Sequence, residues 1–174
     1  MKSWKVIVAT AAAAGALLVA TIGTASAQSA FDSGSASISA SPWAATFQSV
    51  LQSHPDAVQV SPAEIVFDGG HAHLYGSVTP FTISTCTAKG SVFCFFDNSG
   101  YGGAILATFS GNGWWDSSGI GSVGSEYNNW SHSAFVHKSS QSPPEVCDPP
   151  GSGDSIAPYA HPQWLYLAGS QNTC

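Results

Sequence analysis

The residues best placed to do chemistry in this chain are a histidine pair, a few acids and four cysteines. His71 and His73 lie one residue apart in "DGGHAHLYG". On an extended strand that spacing points both rings to the same face, as a zinc or copper pair requires. The other histidines, His54, His132, His137 and His161, are scattered and supply no recognisable third ligand. Two ligands alone more often mark an exposed strand face, and that reading is favoured. Asp97, Asp116 and Glu126 could pair in three dimensions, yet no spacing argues for it. Solvated acids and turn formers describe them better.

The cysteines speak about compartment. Residues 1–27 have a basic start at Lys2 and Lys5, an apolar run "VIVATAAAAGALLVATIG" and a small-residue "ASA" before Gln28. That is the pattern of a cleaved secretory signal peptide, so export is expected. No second apolar run could span a membrane. Cys86, Cys94, Cys147 and Cys174 all follow the signal. An even count in an exported chain suggests two disulfides, and four cysteines allow three pairings. The preferred set is Cys86–Cys94, closing a short loop, and Cys147–Cys174, tying down the C-terminus. Past the signal the only cations are Lys89 and Lys138, against ten acids and no arginine. Such a chain cannot neutralise a phosphate backbone or seek an anionic membrane, which excludes nucleic acid and lipid surfaces as partners.

The elements that must position these residues can be read in outline. Residues 28–40 are Ser/Ala/Gly-rich and read as a flexible lead-in. In "SPWAATFQSVLQSHP", Ser41 and Pro42 suit a helix start, and Trp43, Phe47, Val50 and Leu51 form an apolar stripe. His54-Pro55 should end that helix. "SPAEIVFDGGHAHLYG" then predicts a β-hairpin turning at Asp68-Gly69-Gly70. Beyond residue 76 short aromatic runs alternate with Gly/Ser/Asn turns, the pattern of a small sandwich or barrel. In "FFDNSGYGG", residues 95–103, Tyr101 should fold back onto the preceding strand to form a corner. Gly102 and Gly103 would let the chain pass beneath its ring.

That stretch resembles the aromatic–acid–turn–aromatic–x–Gly hairpin of bacterial βγ-crystallins, and "NNWSHS" at 128–133 resembles their later Asn/Asp–Ser/Thr segment. "CTAKGSVFCFFD" is similar to the Cys–Gly–Cys approach of the small secreted actinobacterial metalloproteinase inhibitors, which share this fold. The match covers roughly residues 86–138. The resemblance implies a mainly β, crystallin-like Greek-key sandwich over 81–174, preceded by a helix and hairpin over 41–80. It also implies calcium ligands at Asn128, Asn129 and Ser133, with Glu126 nearby. His132 stands where a hydroxyl ligand belongs, so a turn bonding its own backbone is favoured over an ion site, and no cofactor is expected.

An inhibitor needs a rigid, substrate-like loop, because rigidity lowers the ordering cost of binding. "SSQSPPEVCDPPGSG", 139–153, has prolines on both sides of Cys147. The resemblance makes Glu145, Val146 and Cys147 its inhibitory residues, with Val146 entering the pocket of a thermolysin-like enzyme. A connector between Greek keys fits the same stretch equally well. "GSGDS" at 151–155 faintly resembles a serine-protease nucleophile segment, but it continues Ile-Ala-Pro. No Gly-x-Ser-x-Gly elbow is present either. The expectation is therefore a non-enzymatic secreted protein that inhibits an extracellular proteinase. The alternatives are a binding or structural module that calcium could stabilise weakly, and a small antimicrobial toxin, which the lack of cations disfavours.

Overall fold

The computed structural model describes residues 41–170 and 174. The signal segment 1–27 and the lead-in 28–40 lie outside the described residues. The chain is mainly β: two antiparallel sheets, with little helix. Helix α1 (Ala44–Ser53) follows a turn closed by the Ala44 N–H on the Ser41 carbonyl at 3.2 Å. The helix therefore starts slightly later than the Ser41–Pro42 signal predicts. Strands β1 (Val58–Ser61), β2 (Glu64–Phe67) and β3 (Ala72–Gly76) come next. The predicted hairpin is β2–β3, with Phe67 opposite Ala72 across the Asp68-Gly69-Gly70 turn.

A second short helix, α2 (Ile83–Ala88), stands where the sequence reading expected only strands. Its signal is a capping box: Thr82 and Thr85 satisfy each other's backbone donors. After it come β4 (Phe93–Asn98), β5 (Gly102–Phe109), β6 (Gly113–Asp116), β7 (Ser125–Asn128), β8 (Ala134–His137), β9 (Pro144–Asp148) and β10 (Trp164–Leu167). One sheet runs β1-β2-β3-β5-β4-β7 and the other β6-β10-β8-β9. Because β3 pairs with β5, segments 41–80 and 81–174 share one sheet. They also share one core, where Phe47 and Val50 of α1 join Phe95, Val136 and Leu165.

Strand β4 explains its own sequence. Phe93 and Phe95 face the second sheet within the main core, while Cys94 and Phe96 face a smaller cluster with Phe81, Cys86, Val92 and Leu106. A strand buried on both sides reads as a continuous apolar run, here "FCFF". The Cys86–Cys94 disulfide pins α2 to β4, and Cys147–Cys174 fastens β9 to the C-terminal residue. Both preferred pairings are therefore present.

Tyr101 does form a corner. Its backbone takes a positive φ of 59°, and its ring meets Phe96 and Tyr127 edge-on at 6.2 and 6.1 Å. Its hydroxyl donates to the Gly153 carbonyl at 2.9 Å, and its N–H donates to Ser125 Oγ at 2.9 Å. The reason for the glycines differs from the expectation. Gly103, at φ 124°, lies under the Asp97 carboxylate rather than an aromatic ring, and a β-carbon there would strike Asp97 Oδ1. That carboxylate accepts the Ile105 N–H at 3.0 Å and holds the bulge where β4 and β5 lose register.

Candidate functional site

Sheet alternation sorts the second sheet into two faces. Leu165 and Leu167 of β10, Ala134 and Val136 of β8, and Trp115 of β6 turn toward the core. Trp114, Tyr166 and Phe135 turn outward, and the register sets them side by side: Tyr166 lies opposite Trp114 on one neighbour and Phe135 on the other. Their ring centroids are 5.1 and 6.0 Å apart, with both pairs tilted by 37°. Trp114 is 44% exposed, the largest apolar side chain so open among the described residues. Phe135 is in turn opposite Cys147 on the edge strand β9, so the row runs to the Cys147–Cys174 bridge. His137 sits under this face, 4.7 Å from the Trp114 ring and with Nδ1 2.8 Å from the Ser142 carbonyl. An exposed tryptophan backed by two half-buried rings on a rigid sheet presents contact area at low ordering cost.

The centre of the segment read as an inhibitory loop, with Glu145, Val146 and Cys147, is strand. Pro144–Asp148 pairs with β8 after a turn over 139–142 in which Ser142 N–H donates to the Ser139 carbonyl at 3.1 Å. Pro144 and exposed Glu145 suit an edge strand, where prolines and charges discourage further pairing. Val146 is half-buried against the main core, Cys147 is held in its bridge, and only Glu145 of the three stands free in solvent. The following "GSGDS" runs alongside β7: Asn128 N–H donates to the Ser152 carbonyl at 2.7 Å and Glu126 N–H to Asp154 at 3.1 Å. Gly153 must lack a side chain, since a β-carbon would strike the Glu126 carbonyl.

The three acids considered for pairing are kept apart in role. Asp97 braces the β4–β5 bulge, and Asp116 accepts the Ser118 N–H at 2.8 Å. Glu126 instead points into the space between the sheets with Asp148, and both are buried. The Tyr159 hydroxyl donates to Glu126 Oε2 at 2.5 Å, while Glu126 Oε1 and Asp148 Oδ2 find no partner. Burial pushes Glu126 up to about 8, with nearby Asp148 and Asp154 adding to it and the Tyr159 hydrogen bond opposing it. Burial likewise pushes Asp148 up to about 7, helped by Asp154. Both are therefore protonated where ordinary carboxyls are ionised. Both side chains are shut inside the core.

The histidine pair does not form as drawn. His71 falls just before β3 and stacks on Trp115 at 4.7 Å. His73 bonds Glu64 Oε1 at 2.9 Å and stacks on Tyr75. His132 is exposed beside the Ser131 hydroxyl, and His161 is exposed near the Gly121 carbonyl. Asn128 is buried, and its carboxamide is spent on its own turn. Nδ2 donates to the His132 and Asp148 carbonyls at 2.9 and 2.8 Å, and Oδ1 accepts the Trp130 N–H at 2.9 Å. Asn129 donates to the Gly90 carbonyl, and Ser133 Oγ is buried without a partner. Calcium ligation would have to break the Asn128 turn. Saturating calcium is accordingly expected to leave the melting temperature unchanged. A rise on calcium addition, reversed by chelator, would contradict this, because a ligand of the native state must stabilise it.

The chain matches no family model, and no curated protein or solved structure is significantly similar to it. The outward aromatic row escaped the sequence reading, although its signal is there: "GWWD", "AFVH" and "WLYL" each alternate apolar residues of both faces.

Proposed function

We propose that this chain is a secreted, non-enzymatic binding protein whose contact surface is the outer face of the four-stranded sheet. The observation that carries this reading is the exposed Trp114 at the head of the Trp114–Tyr166–Phe135 row. Tryptophan and tyrosine on a rigid support are the side chains that most often dominate a protein–protein contact. Two disulfides fit an extracellular setting. The partner we infer is an extracellular proteinase, from the resemblance of "CTAKGSVFCFFD" to the secreted metalloproteinase inhibitors. The Tyr101 corner and the two stacked sheets favour a crystallin-like Greek-key kinship.

The mode of inhibition differs from a substrate-like loop. Val146 faces the core from a paired strand, so a proteinase pocket could receive it only if β9 peeled away. Binding through the aromatic face leaves the Glu145–Val146 bond untouched. The test is a titration of a thermolysin-like metalloproteinase with the disulfide-intact protein, followed by mass spectrometry of the inhibitor. The expected result is stoichiometric loss of proteinase activity with residues 139–153 intact. Full activity at several-fold molar excess would remove this class of proteinase as the partner. Cleavage at Glu145–Val146 would restore the loop mechanism.

A further inference from the structure

Away from the aromatic face, the C-terminal end of α1 meets the β2–β3 turn. Three side chains converge there: His54, Asp56 and Asp68. Their ligand atoms, one imidazole nitrogen and two carboxylate oxygens, all lie within 4.8 Å of one another. His54 is only 3% exposed, and its ring packs on Phe67 at 4.5 Å, which fixes its orientation. Its Nε2 is 2.9 Å from the Ser118 carbonyl. A carbonyl only accepts, so Nε2 carries a hydrogen and Nδ1 is the nitrogen left to face the acids. Nδ1 lies 3.6 Å from Asp68 Oδ1. Histidines that bind metals are held in this way, with the far N–H donated to a carbonyl or carboxylate.

The acids are held as firmly. Asp68 adopts a positive φ of 50°, unusual for a residue with a side chain, and its Oδ2 is buried with no hydrogen-bond partner. Asp56 accepts the Gly69 N–H at 2.8 Å through Oδ2 and is otherwise exposed. A buried, unpartnered carboxylate oxygen beside a bare imidazole nitrogen is costly unless something positive lies between them.

The geometry points to a zinc-class divalent cation site formed by His54 Nδ1, Asp56 and Asp68, closed by water on the Asp56 side. One neutral imidazole and two carboxylates carry two negative charges, matching a divalent cation. The nitrogen ligand favours zinc, cobalt or nickel over calcium and magnesium, which prefer all-oxygen sets. In the absence of a cation a proton serves in part: burial lowers the His54 pKa, but Asp68 and the Ser118 carbonyl outweigh it and leave it raised. A metal there would tie the end of α1 to the hairpin turn and add stability by mass action.

The experiment uses disulfide-intact protein stripped with chelator and titrated with zinc by calorimetry, with melting temperature followed in parallel. One zinc per chain and a rising melting temperature are expected. Asp56→Asn retains an acceptor for the Gly69 N–H while removing a charged ligand. It should keep the metal-free melting temperature and weaken zinc binding by about tenfold or more. The His71→Ala/His73→Ala double variant should bind as the parent does. Should Asp56→Asn fold poorly, cobalt added to the parent provides the second readout: paramagnetic broadening is expected at the His54 ring protons. No saturable binding in the parent, undiminished binding by folded Asp56→Asn, or broadening centred on His71 and His73 would each overturn the site.

Discussion

Raising the pH from about 4.5 to about 8.5 is expected to weaken the folded state markedly, and Glu126→Gln is expected to remove much of that loss. The cause is the pair of carboxyls between the sheets. An unfolded glutamate loses its proton near 4.5, whereas folded Glu126 keeps it up to about 8. Between those values the folded state binds more protons than the unfolded state, so stability falls as pH rises. The contribution is complete below the unfolded pKa and gone above about pH 8. At ~1.4 kcal/mol per pH unit, Glu126 alone accounts for a change on the order of 4 kcal/mol. Asp148 acts in the same direction over a window ending near 7. The excess of surface acids also favours low pH, and the variant separates the two effects. Glutamine keeps an acceptor for the Tyr159 hydroxyl but cannot ionise, so the slope should flatten while the surface charge hardly changes. Denaturant midpoints at both pH values measure this. A parent more stable at the higher pH, or a variant with the parent's slope, would refute the buried-acid account.

Gly103→Val is expected to destabilise the fold by roughly 3–5 kcal/mol, with Gly100→Ala costing far less. Two effects add at Gly103. The φ of 124° is strained for any residue with a β-carbon, at roughly 1–3 kcal/mol. The new side chain meets the Asp97 carboxylate, and moving that carboxylate breaks its bond to the Ile105 N–H, a charge-assisted contact of roughly 1.5–3 kcal/mol. Gly100, at φ 75°, has open space around it and pays only for its backbone. Thermal unfolding of both variants decides. Equal melting temperatures would mean that Asp97 does not brace the corner.

These two cases mark what could be read from the chain. The Asp68-Gly69-Gly70 turn, the α1 stripe and the short Cys86–Cys94 loop were legible because each is a local pattern, whereas Cys147–Cys174 joins residues 27 apart and was a preference among three pairings. What Gly103 avoids was not legible, since Asp97 reaches it only through the β4–β5 bulge. Pro143-Pro144 and Pro149-Pro150 suggested a loop, yet an edge strand tolerates proline, and β9 is such a strand. Helix α2 is too short to show a helical period, and only its Thr82–Thr85 box announces it. The burial of Glu126 and Asp148 is a product of inter-sheet packing, as is the meeting of His54 with Asp68 across the core edge. For the contact face, alternation sorts each strand's residues into two sets, but only the strand order β6-β10-β8-β9 places Trp114, Tyr166 and Phe135 next to one another.

The central claim, that the aromatic face and not the β9 segment makes the contact, is tested most directly by measuring affinity for an immobilised thermolysin-like metalloproteinase. Parent, Trp114→Ala and Glu145→Ala proteins would be compared, each with intact disulfides and a parent-like melting temperature. Trp114→Ala should bind at least about tenfold more weakly, ~1.4 kcal/mol, as expected for a central tryptophan. Glu145→Ala should bind as the parent does. Unchanged affinity in Trp114→Ala together with lost binding in Glu145→Ala would contradict the account and return the contact to the β9 segment.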